Sequence, residues 1–238
     1  MAKRGSDKAF LYVDGYNLGS DLTDFALKKS AATEETTTLG DTWEEHESVN
    51  LKNGELTAQG FYNDALSDVV LNEQQGTQPV VCAGLDGDTA GEEFTGLAGM
   101  QADYNRTQQR GQFHKITTMI RGNGQIDEGV ILKALAAVTA AGQSSSHDNS
   151  ASSSDGAVGY LQVTAIDLDG YDDWTVKIEH SADNSTFADL ITFAAVTAVG
   201  AERKTASGTV NRYTRTDHAL GGSGTSPSLT YFCGISRG

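Results

Sequence analysis

Trp174-Thr-Val-Lys-Ile-Glu-His-Ser181, WTVKIEHS, fixes the class of structure this chain must adopt. Trp174, Val176, Ile178 and His180 fall on one side of a period-2 alternation, and Thr175, Lys177, Glu179 and Ser181 fall on the other. Such a stretch has one apolar face only when it is extended, so it reads as a half-buried β-strand. The segment Ser181 to Thr186, SADNST, supplies a turn, and Phe187, Leu190, Phe193 and Val196 supply buried anchors after it. Val210 to Thr216 and Leu229 to Ile235 read as closing strands, the second with Leu229, Tyr231, Cys233 and Ile235 on one face. Together these predict a small β-sandwich over 157–238.

Working toward the N-terminus, Gln143 to Gly156, QSSSHDNSASSSDG, is Ser-rich and has no large apolar residue, the composition of a linker or exposed loop. We therefore expect a domain at 1–142, a linker or exposed loop at 143–156 and a second domain at 157–238. In the first, Phe10 to Val13 reads as a strand. Ser30 to Thr42 has almost no apolar anchors and reads as an extended loop. Leu56 to Tyr62 reads as a strand, and Asn63 as the cap of a short helix running through Leu71. Pro79 to Ala83 reads as a strand closed by a Gly- and Asp-rich turn. Two further strands run around Met100 to Tyr104 and Phe113 to Ile120, joined by the polar segment from Asn105 to Gln112. Ile131, Leu135 and Val138 have helical spacing, and a strand fits there almost as well. The expected fold class is mainly β (α+β).

Composition agrees: 27 Gly against 2 Pro suits many tight turns between short strands. The 17 basic residues against 32 acidic, a formal charge of −15, argue against a phosphate-binding surface. The same charge suits solubility, or a wall that must repel DNA sliding past it. Cys82 and Cys233 belong to no CxxC or Cys/His cluster and read as buried free thiols. The start, MAKRGSDKAF, has no apolar core of a secretory signal, and no stretch is long enough to span a bilayer, so a cytosolic origin and no membrane role are expected.

No nucleotide loop, nucleophile elbow or zinc signature occurs. Asp167, Asp169 and Asp172 around Gly170 are the strongest ion candidates, because hard oxygens on a bent loop suit calcium; the spacing is not that of an EF-hand, and an acidic turn between strands is the other reading. His180, Ser181 and Asp183 bring three triad residue types together on adjacent positions of one strand and turn, where neighbours point to opposite faces, so no catalytic site is expected. No cofactor is expected either. Trp174 reads as core, and Trp43 as either core or an interface anchor.

The order Thr-Leu-Gly-Asp-Thr-Trp (Thr38 to Trp43), a Gly-containing turn, and Leu-Thr-Ala-Gln-Gly-Phe-Tyr followed by Asp64 (Leu56 to Asp64) resembles the major tail tube proteins of long-tailed bacteriophages, over roughly Phe10 to Leu71. HSADNSTFADL (His180 to Leu190) and Gly208 to Arg215 resemble a C-terminal module of phage virion proteins, over roughly Tyr160 to Arg237. The resemblance implies a tail-tube-like β-sandwich or barrel with a short flanking helix, followed by the smaller sandwich. It implies a virion tail protein, made in the host cytoplasm, that self-assembles into stacked rings, hexameric or trimeric. Other tail proteins would be its partners, and DNA would pass through the lumen without specific binding. On this reading Thr36, Thr37, Thr38, Leu39, Gly40, Asp41 and Trp43 form the contact loop between subunits. A capsid decoration protein and a glycan-binding adhesion module are the alternatives, the second disfavoured by few aromatic platforms.

Overall fold

The computed structural model describes residues 8–39, 42–74 and 76–238. Among the described residues the fold is mainly β, with one short α-helix, α1 (Ser67–Glu73). The strands are β1 (Phe10–Val13), β2 (Tyr16–Asn17), β3 (Leu22–Glu35), β4 (His46–Phe61), β5 (Val80–Gly84), β6 (Glu93–Thr107), β7 (Lys115–Gly122) and β8 (Asp127–Val138). They continue as β9 (Gly142–Gln143), β10 (His147–Asp148), β11 (Ala157–Asp167), β12 (Tyr171–Ser181), β13 (Ala188–Thr192), β14 (Gly200–Ala206), β15 (Tyr213–Gly222) and β16 (Ser228–Arg237). The ambiguous apolar run at Ile131 to Val138 is thus extended, its Ile131 and Leu132 buried within β8.

The chain forms two compact units, and their boundary is not the one composition suggested. The first comprises 1–20, 79–96 and 127–238; the second comprises 21–78 and 97–126. N-terminal strands and the expected C-terminal domain therefore share one unit, because β8 and β16 pair along their length, from Val130↔Ile235 to Val138↔Leu229. Of the two readings of 143–156, linker or exposed loop, the second fits: the stretch is largely irregular and exposed, and stays within the first unit. β9 and β10 pair with β15, Ser153 bridges Val210, and Arg212 grips the Asp148 carboxylate through two bonds of 2.7 and 2.6 Å. That guanidinium, with the Ser150 N–H, holds the Asp148 carboxyl down at about 2. The Ser-rich strap lacks apolar anchors and is secured through backbone pairing and charge instead.

In the first unit, one sheet runs in the order β14-β11-β16-β8-β6-β5-β1-β2, and a second runs β10-β15-β12-β13, with β9 also on β15. Between them lies the predicted sandwich core. Trp174, Val176 and Ile178 of β12 meet Leu229, Tyr231, Cys233 and Ile235 of β16, with Leu161, Val163, Ile191 and Phe193. The opposite face of the large sheet is also buried: Phe10, Tyr12, Cys82, Phe94, Tyr160 and Phe232 form a second core. β1 and β16 are separated by three strands in the sheet, yet the rings of Tyr12 and Phe232 come to 5.3 Å, so the sheet curls on itself like a barrel.

Gln162 and Gly15 fasten that curl. Gln162 is fully buried; its Oε1 accepts the Gly15 N–H at 2.7 Å, and its Nε2 donates to the Val80 carbonyl at 2.9 Å. Gly15 has φ +87°, and a Cβ there would lie 2.6 Å from both the Gly200 nitrogen and the Val163 oxygen, so no other residue fits the seam. Beside it, Asp127 accepts from Tyr160 Oη and from Arg203 Nη2 at 2.7 Å, a paired charge inside the same unit. Both cysteines are buried free thiols, as read from the sequence.

In the second unit, β4 pairs with β7 so that Leu56, Ala58 and Gly60 face Ile120, Thr118 and Ile116, an alternating buried row. The helix after β4 starts at Ser67, later than expected, and Asn63 does not cap it. Asn63 Oδ1 accepts the Ala65 N–H at 3.0 Å, closing an Asx turn ahead of the helix.

Two outcomes follow from this packing. Replacing Gln162 by Leu leaves the Gly15 N–H and the Val80 carbonyl buried and unpaired, and should destabilise the protein by about 2 kcal/mol or more in urea unfolding; an unchanged midpoint would show that the seam closes without it. Burial, with the nearby Lys133 charge, holds the His218 imidazole below its usual range, and burial does the same to His147 and His180. The unfolded chain then binds more protons, so stability is fully present above the unfolded value of about 6.5 and is lost as pH falls toward the lowered folded values. Melting temperature should drop between pH 7 and pH 5, and His218→Gln should flatten the slope.

Candidate functional site

The second unit carries the feature least explained by folding alone. β3 and β4 pair from Leu22↔Gly60 out to Glu35↔His46, but β7 flanks β4 only between Phe61↔Lys115 and Glu55↔Arg121. Past Glu55 the hairpin continues with no third strand among the described residues. This two-stranded arm covers Lys29–Glu35 and His46–Gly54, about 20 Å at 3.3 Å per residue. Every β3 residue from Lys28 to Glu35 is exposed.

Ser30–Glu35 is therefore strand, and the expected loop over Ser30 to Thr42 is corrected there. Sequence reading failed because no β3 residue from Lys28 to Glu35 is buried, so no apolar alternation marks it. At its root Gly54 lies against Ile126, where a Cβ would come within 2.2 Å of the Ile126 Cδ1. A groove of about 730 Å³ opens beside this contact, lined by Lys29, Ala31, Lys52 and Ile126 among others.

The arm ends in a turn. The Thr36 N–H donates to the Glu45 carbonyl at 2.8 Å, and the Glu45 N–H donates to Thr37 Oγ1 at 3.0 Å. Leu39 and Trp43 stand there at 110% and 84% exposure. Of the predicted contact residues, Thr36, Thr37, Thr38, Leu39 and Trp43 are thus collected on the arm's end; Gly40 and Asp41 lie outside the described residues. Glu34, Glu35, Glu44, Glu45 and Glu47 are exposed around them.

The other end of the same strand presents a different surface, which sequence reading missed. Phe61 and Phe113 meet edge to face at 5.8 Å, and both are exposed. Tyr62 and His114 lie alongside, their rings 5.9 Å apart. Arg106 makes a two-pronged pair with Asp68 at 2.6 and 2.8 Å, and its guanidinium lies 5.6 Å over the Tyr62 ring. Tyr104 donates its hydroxyl to the same carboxylate; burial and that acceptor push its pKa up to about 12. The available signal was a local reversal of charge, Arg106, Arg110 and Lys115 within ten residues that contain no carboxylate.

Of the two readings of Asp167, Asp169 and Asp172, the bonds of the first unit support the acidic turn. Asp167 Oδ1 accepts the Asp169 N–H at 3.1 Å, and Asp169 Oδ2 accepts the Ser226 N–H at 2.8 Å and the Thr225 hydroxyl. Those bonds lower the Asp169 pKa. Asp169 and Gly170 have φ of +41° and +96°, and the Tyr171 N–H donates to the Leu168 carbonyl at 2.9 Å, so the aspartates fold a tight turn between sheets. Among the described residues no group of three His, Cys, Asp or Glu is placed to share a metal ion. Asp183 is likewise committed: it accepts the Ser181 hydroxyl and the Ser185 and Thr186 N–H groups, each at 2.9 Å. Among the described residues no helix is long and apolar enough to cross a membrane.

No family model matches the sequence, and no curated protein does. Several solved structures match, among them the following three. One is a chain from the virion of a native gene transfer agent particle, at 14% identity and TM-score 0.39, covering 52% of this chain and 97% of its own. A second, from the tail of an empty particle of that kind with C6 symmetry, gives 15% identity, TM-score 0.38, and the same 52% and 97%. The third is the Dit protein of phage SPP1, described as a hub of the adsorption apparatus in phages that infect Gram-positive hosts, at 11% identity and TM-score 0.37, covering 96% and 99%. At these scores the likenesses carry no argument about function.

A turn-forming role for the aspartates has a direct check. Asp169→Ala should lower the melting temperature, and added calcium should restore nothing; a calcium-dependent rise in the unsubstituted protein, seen by differential scanning fluorimetry with and without chelator, would reinstate the ion site.

Proposed function

We propose that this chain is a structural subunit of a phage-type virion tail, which associates with copies of itself into stacked rings and so builds the tube through which DNA leaves. The observation that carries this reading is the arm. A two-stranded ribbon in water is at best marginally stable, and this one holds Trp43 and Leu39 fully in solvent at its end. Both facts make sense if another protein surface covers the arm in the working state, since burying one large apolar side chain contributes roughly 1.5–3 kcal/mol. The tail-tube resemblance of Thr38 to Trp43 and Leu56 to Asp64 falls on this same hairpin and its root.

Rings closed by head-to-tail contacts, hexameric or trimeric, can stack without limit along their axis. A net charge of −15 supports a bore that repels the polymer passing through it. Other tail proteins would cap the two ends of the stack. No step of this function is chemical: the triad-type residues and the acidic turn are spent on local structure.

Removing Ala31 to Thr38 should leave a folded protein, with an unchanged far-ultraviolet spectrum and cooperative unfolding, that no longer forms hollow tubes in electron micrographs of concentrated samples. Normal tubes from the deleted protein would remove the arm from the assembly contact.

A further inference from the structure

The arm's end and the Phe61–Phe113 surface occupy opposite ends of β4, which runs sixteen residues from His46 to Phe61. At about 3.3 Å per residue they are separated by roughly 50 Å of strand, so one copy cannot bring its own two ends together. Their chemistry is complementary. The arm's end offers two exposed apolar side chains within a segment, Thr33 to Glu47, that has six carboxylates and no Lys or Arg. The far surface offers two exposed phenyl rings with Arg110 and Lys115 exposed on the same turn and strand start, while the charge of Arg106 is met by Asp68.

From this juxtaposition we infer that the Phe61–Phe113 surface receives the Leu39–Trp43 end of the arm of a second copy of this chain. Two arm ends cannot pair with each other, because their carboxylates repel. The arm end therefore meets a different surface on the second copy, and the contact propagates wherever it is not reciprocated. Aromatic side chains at the centre with charges around them match the arrangement of interface hot spots. Arg106 is already held by Asp68, so it is a fixed part of the receiving surface, while Arg110 lies exposed at the turn joining β6 to β7 and Lys115 lies exposed at the start of β7. The inference rests on the reading of the arm as an inter-subunit contact, and adds the surface it meets.

Disulfide trapping between two variants tests it. Thr42→Cys in one copy and Gln112→Cys in another place a thiol beside each anchor without removing it, and the native Cys82 and Cys233 are fully buried and do not compete. Mixed and mildly oxidised, the pair should give a cross-linked dimer about tenfold more abundantly than either variant alone, and adding Phe113→Asp to the second copy should reverse that gain, the loss expected of one hot-spot aromatic. Tubes of the unsubstituted protein without the mixed cross-link would overturn the receiving surface and leave the tail-tube reading standing. The cross-link without tubes under any condition would uphold the surface and defeat the tube. Absence of both would overturn both.

Discussion

Gln162 satisfies two backbone groups that would otherwise be stranded inside the protein, and the first unit depends on it. A curled sheet needs its two margins to approach each other where neither has a regular ladder partner. Here the margin formed by the β1–β2 turn comes against β11 and β14 at Gly15, where there is no room for a side chain, and the side-chain amide of β11 replaces the missing ladder bonds. Everything that gives the unit two cores follows. With the margins joined, Tyr12, Phe94 and Phe232 fill the inside of the curl, while the outside of β11 and β16 remains available to pack on β12.

Strands buried on one or two faces of that unit were legible because water leaves its mark on their sequence. Trp174 to Ile178 and Leu229 to Ile235 alternate as the core requires, and the apolar residues named from that alternation lie in it, whereas His180 is only half-buried and Ser181, read on the polar side, is buried. The seam was illegible, since nothing about an isolated Gln or Gly distinguishes a fastening from a surface residue. The same blindness applies to Ser30 to Glu35 and to 143–156, where strands exist without a buried face. Hydropathy records burial within one chain, and both segments are held by backbone hydrogen bonds. The candidate contact residues were visible as a polar, Trp-bearing break before β4, but the surface at Phe61 and Phe113 was not. It combines residues from β4 and from the turn between β6 and β7 that only the sheet register brings side by side.

Charge and form divide the work differently in the two units. In the first, ion pairs are structural: Arg212 with Asp148 and Arg215 with Glu179 tie neighbouring strands, and Arg203 of β14 reaches the buried Asp127 of β8 past the two strands between them. In the second, the carboxylates of the arm sit in solvent far from the basic cluster at the other end of β4. Charges so separated along one strand cannot pair with each other within a single copy. Salt should matter correspondingly more to association than to the stability of a single copy.

β16 lies between β11 and β8, inside the large sheet and at the heart of both cores. Without Ser228 to Arg237, β8 and β11 have no strand to join them and the apolar residues of both cores have no common floor. Losing Ser228 to Arg237 would therefore cost the larger unit the shared wall of both cores at once, and not merely one strand of a sheet.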